Sequence, residues 1–370
     1  AYAYFALFPA FIAAYSEHPA LKSRSAGLLV AAMVSSVAKA LGVMFFFSHR
    51  LFHFATYIYV WIRDTRVGEI TIMTADFYRV LFQSQIFVLA TVFAAALIVM
   101  YSRSLKDRPV RWAAAFICWT MVSMVLSLSR SFWFGGMCAV LALLALLVWA
   151  RAEAKVWRRM AGLGVGAVVG AVMIVGVTYS FPWPRKTGDV SFASLLGSRA
   201  FSLSGEAAAN SRCALLPKLN EAGAKHAFFG SGLGTSVTYT TSDPRLLADN
   251  PTGAYTTYAF EWGYHDLWVK FGLLGLAVYG WLLWFIAKPL LVAVRSCREC
   301  FRSAALPSPD GKKEAAVLAA GLVLGLIAML ATNIFSPYLN HPLGIGILMI
   351  LGALVAAQSF AGVGAKSENT

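Results

Sequence analysis

Charged residues are scarce in this chain. They make up 13% of its 370 residues, whereas a soluble domain usually carries about a quarter. Hydrophobic residues account for 59% of the sequence, and the mean hydropathy is +0.67. So few charges do not cover the surface of a water-soluble protein of this length. The composition therefore excludes an ordinary soluble domain and predicts a surface that mostly faces lipid.

Patterns typical of metal sites and disulfide frameworks are also lacking. The chain has five cysteines, and Cys297 and Cys300 form a CxxC without the second pair that a zinc site needs. Cys213 is the only cysteine in the predicted outer loop, so we expect no structural disulfide. No cluster of His, Cys, Asp or Glu has the spacing of metal ligands. We therefore predict neither a metal nor a cofactor.

Long basic runs are absent as well, although the formal net charge is +14. A nucleic-acid-binding protein would carry a basic stripe or a basic helix. Here the Lys and Arg residues instead cluster in three short connections between apolar segments, at residues 103–111, 151–159 and 295–313. The positive-inside rule places such connections on the cytoplasmic side. The pattern predicts a membrane protein of defined orientation and no nucleic-acid partner.

Apolar runs long enough to cross a bilayer recur along the chain. They predict an all-α polytopic membrane protein with about nine transmembrane helices. The chain opens at Ala1 inside an apolar segment, without Met or a signal peptide. Nine helices place this residue outside, so we expect an N-terminal truncation that removed an odd number of helices. The predicted helices lie near residues 1–16, 25–47, 79–101, 110–128, 132–150, 160–182, 265–293, 314–336 and 341–361.

Two segments are left on the outer side. Residues 48–78 contain an aromatic-rich stretch that is expected to lie along the membrane interface. A long loop of mixed polarity follows the sixth helix, and loops of this size usually carry function. The predicted organisation is an N-terminal transmembrane region at 1–182, a loop with short helices at 183–262, and a C-terminal transmembrane region at 263–370.

Two arginines are predicted at the outer ends of helices, against the positive-inside bias. Arg130 lies between two helices that have almost no loop between them, and Arg79 is predicted to open the third helix. Such an arginine either extends its guanidinium to the interface from a helix end or contacts an anion. Both interpretations stay open for each residue.

The outer loop contains a third arginine and a glycine-rich turn. Arg212 begins an amphipathic stretch that runs to His226, and Gly230, Gly232 and Gly234 follow. Alternating glycines permit a tight turn that approaches a ligand closely. An arginine, a helix and a glycine turn in this order favour an anion-binding loop more than a glycine cluster alone does.

Ionisable residues also surround the start of the next helix. Glu261 and His265 are four residues apart, so they would share one face if both were helical. Asp266 and Lys270 form a second pair with this spacing, in which the negative and positive charges would neutralise each other. Glu261 suits either acid–base chemistry or a helix N-terminus, and His265 suits either catalysis or a hydrogen bond at the interface.

In this order, the motifs resemble the signature region of the bacterial O-antigen ligase and O-antigen polymerase family. The resemblance covers about the C-terminal two thirds of the chain. Each motif is loose, and their order and topology together carry the similarity. The matching residues are Ser129-Arg130, Arg212, His226, Gly230, Gly232 and Gly234, and finally Gly272-Leu-Leu-Gly275-Leu276.

One position departs from the family pattern. The family usually has His-Asn eleven residues before the first glycine of the last motif, where this chain has Glu261-Trp262. Either Glu261 has taken over the role of that histidine, or His265 fills it. The identity of the catalytic base is therefore open.

The resemblance implies transfer of a glycan from undecaprenyl diphosphate to an acceptor hydroxyl at the periplasmic face of the bacterial inner membrane, without a metal or cofactor. The acceptor would be the lipid A core or a second glycan, and the surroundings would be membrane lipids. By resemblance, Arg130 and Arg212 hold the diphosphate and Glu261 or His265 activates the acceptor. Arg79 lies outside the matched region and is added to the diphosphate-binding residues because it is predicted on the same outer side. His226 and the three glycines of the turn would form a substrate loop.

Two other functions remain as alternatives. A polysaccharide flippase or secondary transporter would place charges at mid-membrane and show paired repeats with broken helices; here the charges concentrate at one face and no repeat is visible. A non-catalytic protein of envelope assembly would tolerate substitution of both Glu261 and His265.

Overall fold

The computed structural model describes residues 2–74, 76–201, 207–242, 247, 250–304, 306 and 311–367. Within these residues the chain is mainly helical, with two short β-hairpins. The helices are α1 (Phe8–Glu17), α2 (Pro19–Ser48), α3 (Phe52–Thr65), α4 (Ile86–Tyr101), α5 (Arg108–Ser127), α6 (Arg130–Trp149), α7 (Ala154–Tyr179), α8 (Phe192–Phe201), α9 (Ala207–Lys225), α10 (Gly263–Ser296), α11 (Lys312–Thr332) and α12 (Pro342–Ser367). The strands are β1 (Gly68–Ile72), β2 (Tyr78–Phe82), β3 (Val237–Thr240) and β4 (Ala254–Thr257).

Seven of the described helices are long and apolar enough to cross a membrane. They are α2, α4, α5, α6, α7, α10 and α11, and each corresponds to a predicted transmembrane helix. The two other predicted spans coincide with shorter apolar stretches, Ala3–Tyr15 and Pro342–Ala356. The structure thus confirms a helical, multi-pass architecture, and the total of nine spans stays a prediction.

Helix α4 lies at the centre of the bundle. It packs against α5, α6, α7, α11 and α12, and Ile86, Val88, Leu89 and Leu97 are fully or almost fully buried along it. Helices that are apolar on all sides, as α4 is, suit such a position. Prolines in the first turn of α5 and of α12 fit helix starts, because the missing N–H has no partner there in any case.

The three basic connections meet at one end of the bundle. The Arg103 amide donates to the Leu306 carbonyl at 2.7 Å, and the Glu153 amide donates to the Arg302 carbonyl at 2.8 Å. The Arg298 Nε–H donates to the Trp149 carbonyl at 2.9 Å. The arrangement agrees with the prediction that these connections share one side. Cys297 and Cys300, in the third connection, lie with their sulfur atoms in contact.

The start of the predicted helix at 79–101 is wrong. Residues Tyr78–Phe82 form strand β2, which pairs antiparallel with β1, and α4 begins only at Ile86 after a 3-10 turn. The segment Tyr-Arg-Val-Leu-Phe is rich in β-branched and aromatic residues, and Val80 and Phe82 alternate into the core. Arg79 therefore lies on a strand and does not open a helix.

Helix α3 occupies the aromatic-rich stretch predicted at the membrane interface. Its large side chains Phe54, Tyr57, Tyr59 and Trp61 are exposed. An amphipathic helix that exposes aromatic residues is typical of an interfacial location. Helix α3 packs against α2 and β1, and β2 packs against α2 and α5.

Candidate functional site

A polar cavity of about 580 Å³ opens at the end of the bundle opposite the basic connections. Five parts of the fold contribute to its wall: the β1–β2 hairpin, the α5–α6 corner, the outer helices α8 and α9, the residues before α10, and the α11–α12 connection. Its charged lining residues and histidine are Glu69, Arg79, Arg130, Arg199, Arg212, Glu261 and His341. Segments far apart in sequence thus converge on one space.

Four arginines line this cavity, each from a different element. Arg79 comes from β2, Arg130 from the first position of α6, Arg199 from α8 and Arg212 from α9. The sequence analysis selected Arg79, Arg130 and Arg212, and the structure brings these three together. Arg199 was missed because it lies in the outer loop without a motif around it.

Main-chain carbonyls of the α5–α6 corner and of α8 orient three of the guanidinium groups. The Nε–H of Arg79 donates to the Ser127 carbonyl at 2.6 Å, and that of Arg199 donates to the Leu128 carbonyl at 3.1 Å. The Nε–H of Arg130 donates to the carbonyl of Arg199 at 2.7 Å. Since main-chain carbonyls hold these groups, their orientation depends on the fold.

The four positive charges influence one another. Burial, and then the charges of Arg79, Arg130 and Arg212, together lower the pKa of Arg199 to about 10. Arg199 still carries its charge at neutral pH, because this value lies far above 7. Like charges gathered in one cavity create a strong positive potential. The cavity is therefore suited to an anion with more than one negative charge.

A carboxylate lies beside the arginines. The Nε–H of Arg212 donates to the Glu261 carboxylate, and the indole N–H of Trp262 donates to the Arg212 carbonyl at 2.9 Å. The side chain of Glu261 is about half exposed, at 54%. Glu69 is the second carboxylate of the lining, 4.0 Å from an Nη atom of Arg79.

Glu261 and His265 do not share a helical face, which corrects the prediction. Helix α10 begins at Gly263, and Trp262 before it is extended, with φ −87° and ψ 96°. Glu261 therefore precedes the helix and turns into the cavity. His265 does not line the cavity; its ring lies 6.0 Å from that of Trp262 and 6.3 Å from that of Trp268.

His341 is a lining residue that the sequence analysis missed. It lies directly before α12, where its Nδ1 accepts the Leu343 amide N–H at 3.3 Å. Burial lowers the pKa of His341, so the neutral imidazole is favoured. Since Nδ1 accepts a hydrogen bond, the proton of the neutral ring is on Nε2. His341 can therefore donate a hydrogen bond without adding a charge.

A buried ion pair lies behind the site. Asp266 is fully buried and accepts from the Lys270 ammonium at 2.6 Å, which agrees with the predicted mutual neutralisation. The second oxygen of the carboxylate accepts from the Asn340 side-chain amide, and the carboxylate also accepts from the main chain of Phe260. Asp266 thus connects Phe260, which precedes Glu261, with Asn340, which precedes His341.

The glycine turn is placed away from the cavity. It packs against a break in α10 at Gly272, whose φ is +68°. The amides of Ser231 and Gly232 donate to the Val269 and Lys270 carbonyls at 2.7 and 3.0 Å. The amides of Leu273 and Leu274 donate to the Ala227 and Phe228 carbonyls at 2.8 and 3.1 Å. None of His226, Gly230, Gly232 and Gly234 lines the cavity.

An apolar cavity of about 620 Å³ lies between α4, α5, α6 and α7. Its wall includes Phe132 and Trp133, which follow Arg130 in α6, and Leu196, one turn before Arg199 in α8. The apolar cavity therefore begins beside residues that carry the arginine site. Its lining is almost entirely hydrophobic, as a lipid chain would require.

No family model, curated protein or solved structure matches this chain. The similarity to the O-antigen ligase and polymerase family therefore rests on the motifs described above. Among the residues that the structure describes, no group of three or more His, Cys, Asp or Glu side chains is arranged to hold a metal ion.

Proposed function

We propose that this protein transfers a glycan from undecaprenyl diphosphate to an acceptor hydroxyl at the periplasmic face of the bacterial inner membrane. One observation carries the proposal: four arginines and a carboxylate converge in a cavity at one end of an apolar helical bundle. The basic connections lie at the other end, and the positive-inside rule assigns that end to the cytoplasm. The cavity then faces the periplasm.

The arginines suit a diphosphate leaving group. Planar guanidinium groups bind phosphate oxygens in pairs. Arginine also keeps its charge throughout a reaction, so it stabilises the negative charge that develops on the leaving group without a metal. Arg79, Arg130, Arg199 and Arg212 are assigned this role, and main-chain hydrogen bonds orient three of them beforehand.

Glu261 is assigned the role of base, because it lines the cavity and His265 does not. The acceptor hydroxyl attacks the anomeric carbon, its proton passes to the Glu261 carboxylate, and a new glycosidic C–O bond forms. The C–O bond to the diphosphate breaks, and its electron pair leaves on the diphosphate oxygen. His341 donates from Nε2 to an oxygen of either substrate.

The apolar cavity suits the polyprenyl chain of the donor. It lies between membrane-spanning helices, and its wall includes Phe132, Trp133 and Leu196, which are two or three residues along the chain from Arg130 and Arg199 of the arginine cavity. A charged headgroup in one cavity and an apolar chain in the other would place the sugar at the outer rim, near Glu261. Ligation and polymerisation then differ only in the acceptor, the lipid A core or a second glycan.

Glycan transfer is testable with the purified protein in liposomes. The donor is a labelled oligosaccharide on undecaprenyl diphosphate, and the acceptors are the lipid A core and a second copy of the donor. We expect product from one of the two acceptors, and we expect the reaction to proceed in the presence of EDTA. Turnover should fall roughly 100-fold or more in Arg212→Ala. Arg63→Ala, an exposed arginine on α3 that does not line the cavity, is the control with unchanged turnover. Full activity of Arg212→Ala would refute the assignment.

A further inference from the structure

A second charged cavity lies at the opposite end of the bundle, among the basic connections. It is a groove of about 440 Å³ between α4, α5 and α7. Four basic residues line it, Arg111, Lys155, Arg158 and Arg159, and its lining includes no carboxylate. The remaining lining residues are apolar. The groove is separate from the arginine cavity to which glycan transfer is assigned.

The two helices that carry these basic residues both begin at the groove. Arg111 is in the first turn of α5, and Lys155, Arg158 and Arg159 are in the first two turns of α7. The N-terminus of a helix carries a partial positive charge. Asp107 and Glu153 precede these helices but do not line the groove. The N-termini of α5 and α7 and the four basic side chains thus contribute to one positive potential in the groove.

Arg159 fixes the inner wall of the groove. Its guanidinium donates to the carbonyls of Met100, at 3.0 Å, and of Ser102 and Arg103 at the end of α4. Met100 is in the last turn of α4, and Ser102 and Arg103 follow the helix, where intrahelical partners run out. The side chains of Arg111, Lys155 and Arg158 are exposed at the rim. The groove therefore combines a fixed cation with three accessible ones.

The membrane side of the groove is apolar and has room for a chain. Val110 and Leu163 are part of this wall. Gly162 also lines it, and a Cβ atom added there would meet no atom within 4 Å. A positively charged rim above an open apolar slot matches a molecule with an anionic head and a hydrocarbon chain.

We infer that this groove binds an anionic glycerophospholipid from the leaflet at this end of the bundle. The phosphate lies among Arg111, Lys155 and Arg158, and an acyl chain lies over Gly162 and against Leu163. The positive-inside rule alone explains why basic residues lie in these connections. It does not explain why a cavity, with empty space around Gly162, lies beneath them. A soluble phosphate would not use the apolar wall. The inference is independent of the proposed glycan transfer.

Native mass spectrometry of the full chain, released from micelles with phosphatidylglycerol or phosphatidylethanolamine, tests this site. We expect one retained phosphatidylglycerol and much weaker retention of phosphatidylethanolamine. Gly162→Leu fills the slot and should weaken retention at least about tenfold, as should Lys155→Gln combined with Arg158→Gln. Gly166→Leu is the matched control, because it is one turn further along α7, also has open space around it and lines neither the groove nor the apolar cavity.

Three results would overturn the inference. The first is wild-type retention in Gly162→Leu, and the second is equal retention of the two lipids. The third is complete displacement of the lipid by glycerol phosphate, since that would mean that the headgroup alone is recognised. A monodisperse elution profile and an unchanged melting temperature establish that each variant is folded, and the double variant tests the rim should Gly162→Leu fail to fold.

Discussion

At the scale of single residues, the proposed function gives the arginines and one carboxylate different roles: the arginines bind the diphosphate, and Glu261 takes the proton of the acceptor hydroxyl. Carbonyls of the α5–α6 corner orient Arg79 and Arg199. Glu261 is held by Arg212 and lies before α10. Glu261 is at the position where the O-antigen ligase and polymerase pattern, which the motifs resemble, has a histidine. The cavity also contains an imidazole, that of His341.

Glu261→Gln tests the assigned base. The amide keeps the size of the side chain but accepts no proton, so turnover should fall about 100-fold or more while the KM for the donor changes little. Glu69→Gln removes the same charge from the same cavity and should leave turnover within a few-fold of the wild type. Glycan transfer by the reconstituted variants measures both. An equal loss in the two variants would mean that charge, rather than proton transfer, matters.

His341 should make stability depend on pH. Burial lowers its pKa below the ordinary value of 6.5, so the unfolded chain takes up this proton before the folded protein does as the pH falls. The stabilisation is present above pH 6.5 and is lost below it. We expect the melting temperature in detergent to fall between pH 7.5 and 5.5, and to fall less steeply in His341→Gln. His53→Gln, at an exposed position on α3, is the control; an identical slope in His341→Gln would contradict the assignment.

The residues of the site were only partly predictable from the sequence. Arg79, Arg130 and Glu261 stood out because they are charged and near apolar helix ends, and Arg212 because it precedes a glycine turn in the outer loop; the structure places all four in one cavity. Arg199 has no motif around it, and His341 opens the predicted helix at 341–361 but was not selected. The packing of α8 and of the α11–α12 connection brings these two residues to the cavity. His265 was selected because it is four residues after Glu261, a spacing that places two residues on one face only within a helix. The helix begins two residues after Glu261, so the spacing does not bring the two side chains together.

At the scale of elements, the glycine turn stabilises a broken helix. A break in a membrane-spanning helix exposes main-chain groups, and in lipid each unsatisfied group is costly. The turn at 227–232 supplies partners for Val269, Lys270, Leu273 and Leu274. Close backbone contact at the break therefore explains Gly230 and Gly272. The sequence showed the turn and Gly272 separately, but not that they pack together.

Gly272→Ala tests this element. The residue has a positive φ, and a Cβ atom there would collide with the Phe228 carbonyl, so we expect a loss of roughly 1–3 kcal/mol of stability. Gly280→Ala lies in the same helix with open space around it and should be neutral or slightly stabilising. Melting of the purified variants in detergent measures the difference. Equal melting temperatures would contradict the structural role of the turn.

At the scale of the whole molecule, hydropathy and charge placement predicted most of the architecture. Seven predicted spans correspond to long apolar helices, and the basic connections meet at one end. The two β-hairpins were not predicted, because strands of four or five residues leave little period-2 pattern in an apolar sequence. The cavities were also beyond prediction. The arginine cavity joins elements distant in sequence, and the two other cavities depend on how neighbouring helices pack.

The apolar cavity is proposed to hold the polyprenyl chain of the donor, and this is testable by filling the cavity. Gly164 lines this cavity, and a Cβ atom there would meet no atom within 4 Å, so Gly164→Leu should fill space without strain. We expect it to raise the KM for an undecaprenyl donor about tenfold and to leave the KM for a short-chain analogue unchanged. Gly166→Leu lines neither cavity and is the control. A rise that is the same for both donors would mean that the chain does not lie in this cavity.

Binding of undecaprenyl diphosphate tests the central claim, that the arginine cavity holds a diphosphate, most directly. Radiolabelled lipid is titrated onto the protein in nanodiscs. We predict saturable binding that is about tenfold or more weaker in Arg130→Gln combined with Arg212→Gln, because charge-assisted hydrogen bonds are lost. The exposed pair Arg63→Gln and Arg66→Gln, outside the cavity, should bind as the wild type does. Equal affinity in both double variants, or equal binding of uncharged undecaprenol, would contradict the account.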